Sequence, residues 1–182
     1  MRWWATTRKP DETFTVLFVC TGNICRSALA ERLGRGYLDE ALGGSDAGKL
    51  VVASAGTQAV VGADLVLALT RNHRREVLRL APRGLNRTFT LKEAAGLLAL
   101  VDPATPLAGN GLVERCRSLV QAMAAARSRR PSAGADDIVD PVGRPLEVHQ
   151  QVGEEIATAL LPMLGRLVAL GTAQGEAFPA LG

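Results

Sequence analysis

Apolar positions in this chain alternate between short unbroken runs and longer stretches spaced by four residues. Thr15-Val16-Leu17-Phe18-Val19 is such a run; it lacks a period of two, which predicts a strand buried on both faces, as in a parallel sheet. Leu50 to Ser54 reads as a second strand, Asp64 to Leu69 as a third, and Arg87 to Thr90 as a short edge strand. Between the first two, Leu29, Leu33, Tyr37 and Ala41 recur every four residues among Glu31, Arg32, Arg35 and Asp39. That is an amphipathic helix, ended by Gly43-Gly44. Further helices are predicted over Arg71 to Leu80, Leu91 to Leu100, Leu112 to Arg127 and about Pro145 to Leu170. The last has Val152, Ile156, Leu160, Met163 and Leu167 on its inward stripe, a favourable proline in its first turn, and a kink expected at Pro162. Strands alternating with helices predict an α/β fold: a central parallel sheet of about four strands with helices on both faces. One domain over residues 14–170 is expected, with loose ends at 1–13, where Trp3 and Trp4 have no evident purpose, and at 171–182.

Composition narrows this picture. A length of 182 residues favours one domain. Aromatic residues are 4% of the chain, so the core must be built from Leu, Val, Ala and Ile. A net charge of +3 reads as ordinary solubility before nucleic-acid binding. Three cysteines, Cys20, Cys25 and Cys116, are an odd count that argues against a secreted disulfide framework and for a reducing compartment. The longest apolar stretch, Ile156 to Leu170, is interrupted by Pro162 and Arg166 and is too short for a membrane span. Arg2, Arg8 and Lys9 before Phe14–Val19 imitate a signal peptide, but Asp11 and Glu12 intervene and no small-residue cleavage site follows. The expectation is a cytoplasmic protein with no membrane or nucleic-acid partner.

The chemistry lies between the first strand and the first helix, in Cys20-Thr21-Gly22-Asn23-Ile24-Cys25-Arg26-Ser27. A loop wrapped at a helix N-terminus turns successive N–H groups inward, and the helix dipole adds positive potential. Arg26 offers a planar fork for two phosphate oxygens. Cys20 sits at the base of this nest, where a positive field favours the nucleophilic thiolate, a form able to attack phosphorus. Gly22 permits a positive φ, Asn23 tolerates the left-handed region, and the Ser27 hydroxyl is placed to donate to the sulfur.

These residues resemble the phosphate loop of low-molecular-weight protein tyrosine phosphatases. Ser54-Ala55-Gly56-Thr57 resembles the family's motif after the second strand, and Asp140-Pro141, ahead of the last long helix, resembles its general-acid loop. The resemblance runs from about residue 14 to 170. It implies a phosphomonoester hydrolase in which Cys20 forms a phosphocysteine, Arg26 and the loop residues Thr21, Gly22, Asn23, Ile24, Cys25 and Ser27 hold the phosphoryl oxygens, and Asp140 is general acid and then base. It implies no metal or other cofactor, a phosphotyrosine-containing protein or small aryl phosphate as partner, and a reversible disulfide between Cys20 and Cys25. The aliphatic Ile24 resembles phosphotyrosine-directed members; phosphoarginine-directed members resemble it with Thr.

The chain departs from the family's pattern twice. Only Ala55 to Ala63 separates the second strand from the third, where the family has a crossover helix. Nine residues span at most about 30 Å. One sheet face is therefore expected to be bare, inviting a second copy of the chain to cover it. The aromatic walls are also missing: Val142-Gly143 follow Asp140-Pro141, and Gln58-Ala59-Val60 follow Thr57. Weak aryl phosphate binding is expected. Two alternatives stand beside the phosphatase: a catalytically impaired phosphate- or phosphoprotein-binding module, and an arsenate reductase, for which Cys116 is the one cysteine outside the loop.

Other residues read as structural. Cys116 is core, His73 and His149 are solvated helix residues, and Asp136 and Asp137 compete with Asp140 but precede no proline. The arginines at 71, 74, 75, 79, 83 and 87 form a basic stretch, a solvated face that could steer an acidic phosphoprotein. Gly43 to Lys49 mimics a nucleotide phosphate loop, but Leu50 replaces the required hydroxyl residue and the helix–strand order is reversed.

Overall fold

A computed structural model describes residues 12–20, 25–55, 62–131 and 136–172. Trp3, Trp4, Thr21 to Ile24, most of the connection after the second strand, and the tail beyond residue 172 lie outside the described residues. The elements in order are β1 (Phe14–Val19), α1 (Arg26–Ala41), β2 (Leu50–Ala55), β3 (Leu65–Ala68), α2 (Arg71–Leu80), β4 (Thr88–Thr90), α3 (Leu91–Leu100), α4 (Leu112–Ala125) and α5 (Leu146–Thr172). Short 3₁₀ turns occupy Gly44–Asp46, Pro82–Arg87 and Ala126–Arg129. The segment that imitates a nucleotide loop is thus the turn between α1 and β2, where Lys49 is paired with Asp46 at 2.8 Å.

The four strands form one parallel sheet in the order β2-β1-β3-β4. β1 is central because it is apolar on both sides. Phe14, Val16 and Phe18 enter the larger core with α1, α3, α4 and α5, whereas Leu17 and Val19 point to the opposite face. Parallel neighbours place all strand C-termini on one edge, where ligands of open α/β sheets bind. Cys20 follows the end of β1 at that edge and is itself buried.

Helix boundaries follow local chemistry. The Thr70 side chain accepts from the His73 N–H at the start of α2. α3 opens with a reciprocal capping box between Thr90 and Glu93, satisfying two otherwise orphaned donors. Gly34 lets α1 lie close to the sheet and α5: a Cβ there would meet Val52 Cγ1 at 3.3 Å and Leu164 Cδ1 at 3.5 Å. α5 runs without a break in its helical assignment through Pro162.

The expectation of a bare sheet face is corrected. No helix lies between β2 and β3 among the described residues, yet the second face is buried within one chain. Leu17, Val19, Ala53 and Val66 are all 5% exposed or less, packed with Val77 of α2. Ala81, just past α2, is partly buried against the same cluster. Among the described residues, no helix is long and apolar enough to cross a membrane.

Candidate active site

Three segments meet at the C-terminal edge of the sheet: the end of β1 with the start of α1, the start of α2, and residues 136–141 ahead of α5. The last is fastened by backbone, with Ile138 N–H donating to the Leu69 carbonyl at 2.9 Å just beyond β3. It is also fastened by side chains. Arg130 donates to both oxygens of buried Asp136 at 2.9 and 2.6 Å, and the Arg71 N–H at the start of α2 donates to Asp137 Oδ1 at 2.6 Å. Both competitors of Asp140 are therefore used as structural anchors. Hydrogen bonds from Arg130 hold the Asp136 carboxyl below the usual carboxylate range, against the effect of burial.

Cys20 and Ser27 are brought together, with Sγ and Oγ 2.8 Å apart in a buried contact. Arg26, the first residue of α1, is buried, and its guanidinium reaches across to the 136–141 segment. Nη1 donates to the Ile138 carbonyl at 2.8 Å and Nη2 to Asp140 Oδ2 at 2.7 Å. The other Asp140 oxygen accepts from the Val142 N–H at 3.2 Å. The turn that follows closes by Arg144 N–H to the Pro141 carbonyl at 2.9 Å. It needs Gly143, whose φ of +70° disfavours any side chain. Asp140 is thus held at one oxygen by the guanidinium and at the other by its own loop, yet its side chain remains 54% exposed.

Cys25, half-buried, is the N-cap of α1, and its carbonyl accepts from the Leu29 N–H at 2.9 Å. Ser54, at the end of β2, bonds to Glu31 of α1 and ties the second strand to the helix that carries Arg26. Among the described residues, no group of three or more His, Cys, Asp or Glu could hold a metal ion.

His73 was missed by pattern. It is buried in the first turn of α2, within the field of Arg26, Asp137 and Asp140. Burial, aided by the Arg26 charge, pushes its imidazole below the usual range, against the pull of the two carboxylates. Its spacing of three from Thr70, the position an N-cap bonds, was the available signal. His149 is exposed, as expected. Cys116 is core: burial, with Asp64 and Asp46 nearby, pushes its thiol up to about 12.

Comparison with known proteins reaches the first of the site's three segments. A family model for low molecular weight phosphotyrosine protein phosphatase matches residues 15–63, from β1 through the Cys20–Ser27 loop and α1 to β2. A curated relative from Klebsiella pneumoniae, named "Putative low molecular weight protein-tyrosine-phosphatase", is 40% identical over 78 residues, 43% of this chain and 47% of the relative. The chain thus spans about half the length of the curated relative it matches. Among solved structures, the YwlE arginine phosphatase from Geobacillus stearothermophilus superposes with a TM-score of 0.51 at 25% identity, over 92% of this chain and 99% of its own. A low molecular weight protein tyrosine phosphatase from T. tengcongensis gives 0.52 at 24% identity, over 86% of this chain and 99% of its own, a likeness of fold. The resemblance read in the sequence is borne out by these matches: the family's sequence signature covers the first βαβ unit, and its fold covers most of the chain.

Proposed function

We propose that this chain is a phosphomonoester hydrolase of the low-molecular-weight tyrosine phosphatase type, acting through a cysteinyl phosphate. The observation that carries the reading is the convergence of Cys20, Ser27, Arg26 and Asp140 at one strand edge, with Cys20 bonded to Ser27 and Arg26 to Asp140. Cys20 as thiolate attacks phosphorus in line with the ester oxygen. The S–P bond forms as the P–O bond breaks, and Asp140 gives its proton to the departing phenolate. Asp140 then takes a proton from water as that water attacks phosphorus, and the thiolate leaves inorganic phosphate behind. Arg26 and the N-terminal amides of α1 stabilise the charge spread over the equatorial oxygens, which is where such sites gain most of their rate. Thr21, Gly22, Asn23, Ile24 and Cys25 complete the cradle in this reading.

The substrate class we favour is phosphotyrosine, on the strength of Ile24; phosphoarginine, suggested by the likeness to the YwlE arginine phosphatase, is the competitor. The test is turnover of phosphotyrosine peptide and phosphoarginine side by side by purified protein between pH 5 and 8, with Cys20→Ser as control. Turnover by the wild type and none by Cys20→Ser supports the mechanism. Binding of phosphate without turnover by either protein would leave the binding-module reading in its place.

A further inference from the structure

Residues 71–87 hold six arginines and one glutamate, a net +5 in a chain whose total is +3, so the remainder carries −2. The arginines are not scattered. Arg71, Arg75, Arg79 and Arg83 are each four residues apart, the spacing of one helix face. The first three lie on α2, and the fourth lies in the 3₁₀ turn that follows, after the helix ends at Ala81, whose φ of −138° and ψ of 70° are not helical. Arg75, Arg79 and Arg83 are exposed. Arg74, off this stripe, is turned inward to the Thr88 carbonyl and Glu93. Along the stripe, Glu76 meets Arg79 at 3.3 Å with both side chains exposed, a pairing water screens heavily.

The stripe starts at the candidate active site. The Arg71 N–H is bonded to Asp137, three residues before Asp140 on the same tethered segment. A polypeptide whose phosphorylated side chain sits over Cys20 therefore has α2 beside it. We propose that the Arg75–Arg79–Arg83 face is a docking strip for an acidic segment flanking the phosphorylated residue of a protein substrate. The proposal rests on the phosphatase reading for the placement of that residue. The geometry along α2 suits an extended chain. Four helical residues advance about 6 Å, and alternate side chains of an extended peptide stand about 6.6 Å apart, so every second residue there faces an arginine, with Arg83 exposed on the turn beyond. Leu80 and Leu85, 48% and 49% exposed, flank the far end. A polypeptide's apolar side chains can cover them, alongside its acidic groups on the arginines. Because the strip is exposed, its attraction must weaken as the Debye length shrinks from about 10 Å at 0.1 M salt to 3 Å at 1 M.

The test is fluorescence anisotropy with Cys20→Ser, using one phosphotyrosine peptide flanked by alternating Glu and its counterpart flanked by Ser. The same peptides are then measured with Arg75→Glu, Arg79→Glu and Arg83→Glu added together, after circular dichroism shows that this variant is folded. Arg75→Gln, Arg79→Gln and Arg83→Gln combined give a milder second set. The expected result is at least tenfold tighter binding of the Glu-flanked peptide at 50 mM salt. The preference should shrink at 0.5 M salt, fall with the Gln set and vanish or invert with the Glu set. Equal affinity for the two peptides would overturn the proposal, as would a preference that survives charge reversal. Tighter binding of a single-stranded RNA or of phosphatidylserine vesicles than of the Glu-flanked peptide would overturn it too. A separate unphosphorylated Glu peptide keeps the outcomes distinguishable. If the phosphatase reading fails, neither phosphopeptide is turned over by the wild type, yet the charge-dependent binding of that peptide remains readable.

Discussion

Arg26 and Asp140 are 114 positions apart in the chain and share a 2.7 Å ion pair. The same guanidinium is the fork expected to hold phosphate, so an incoming dianion competes with a carboxylate already in place. Removing the charge at Asp140 should therefore have two opposite effects. In Asp140→Asn, kcat for phenyl phosphate should fall by about 10²–10⁴-fold, because the leaving group loses its proton donor. Inhibition by inorganic phosphate should tighten instead. The carboxylate is half-exposed, so that gain is bounded by the roughly 0.2–1 kcal/mol of a solvated pair, or about one- to fivefold in Ki. Steady-state kinetics with phosphate as inhibitor measures both, and unchanged turnover would remove Asp140 from its role.

Ser27 carries the second contact. Its hydroxyl lies 2.8 Å from the Cys20 sulfur in a buried setting, where a hydrogen bond has no water to replace it. Ser27→Ala should lower kcat by roughly tenfold or more, the equivalent of about 1.5–3 kcal/mol for a bond to a charged group, while leaving KM within about twofold. A Cys20 phosphoenzyme that forms normally but hydrolyses slowly, seen as a burst in rapid quench, would locate the loss in the second step, where thiolate is the leaving group.

Acid stability should report His73. Its imidazole is held below 6.5, so the unfolded chain takes up a proton as pH falls through 6.5 while the folded chain does not. The unfolded state then binds more protons, and stability declines with falling pH in that window. The contribution is fully present above pH 6.5. His73→Gln should show a flatter midpoint of urea unfolding between pH 7 and pH 5 than the wild type. Parallel curves for the two proteins would contradict the burial of this group.

The missing aromatic walls predict a substrate effect. Val142 is 63% exposed beside Asp140, and Gly143 offers no side chain. With no ring at these two positions to stack on the substrate's phenyl group, KM for p-nitrophenyl phosphate should exceed the ~1 μM–1 mM range common to enzymes. Val142→Tyr should lower it several-fold with little change in kcat, since an aromatic pair is worth about 0.5–1.5 kcal/mol. A submillimolar KM in the wild type would refute this.

What the sequence revealed, and what it did not, follows from the range of each interaction. β1 was legible because its cause is local, an apolar run wide enough for two buried faces; the Thr90–Glu93 capping box that opens α3 is local too, though the sequence reading placed only the helix. The Cys20–Ser27 loop was legible as a spacing. The burial of His73 was not, since its neighbours Arg71, Asn72, Arg74 and Arg75 make the helix start look solvated, and the groups that surround it come from α1 and the loop before α5. The bond from Arg26 to Ile138 spans 112 positions and uses a carbonyl, a group present at every residue, so no side-chain pattern announces it. The cover on the second face was not legible either, since Val77, which packs there, comes from α2, beyond the short connection.

Asp136 ties these threads to stability. It is buried, and both its oxygens accept from Arg130, whose side chain is itself 17% exposed. Asp136→Asn keeps the shape but withdraws the charge from two short bonds and leaves the arginine's charge underpaired. A charged hydrogen bond contributes about 1.5–3 kcal/mol, so the variant should lose about 2 kcal/mol, or about 4–8 °C in Tm for a chain of this size. Because Arg130 holds the carboxyl below its unfolded value of 3.8, the stabilisation is present above that pH and fades as pH falls beneath it. The gap between wild type and variant should therefore close in acid. Ile138 and Asp140 follow directly in the chain, so kcat on phenyl phosphate should also fall several-fold, while the effect on p-nitrophenyl phosphate, whose leaving group needs less protonation, stays smaller. A Tm unchanged at pH 7 would mean that the Arg130–Asp136 pair does not anchor the segment carrying the acid.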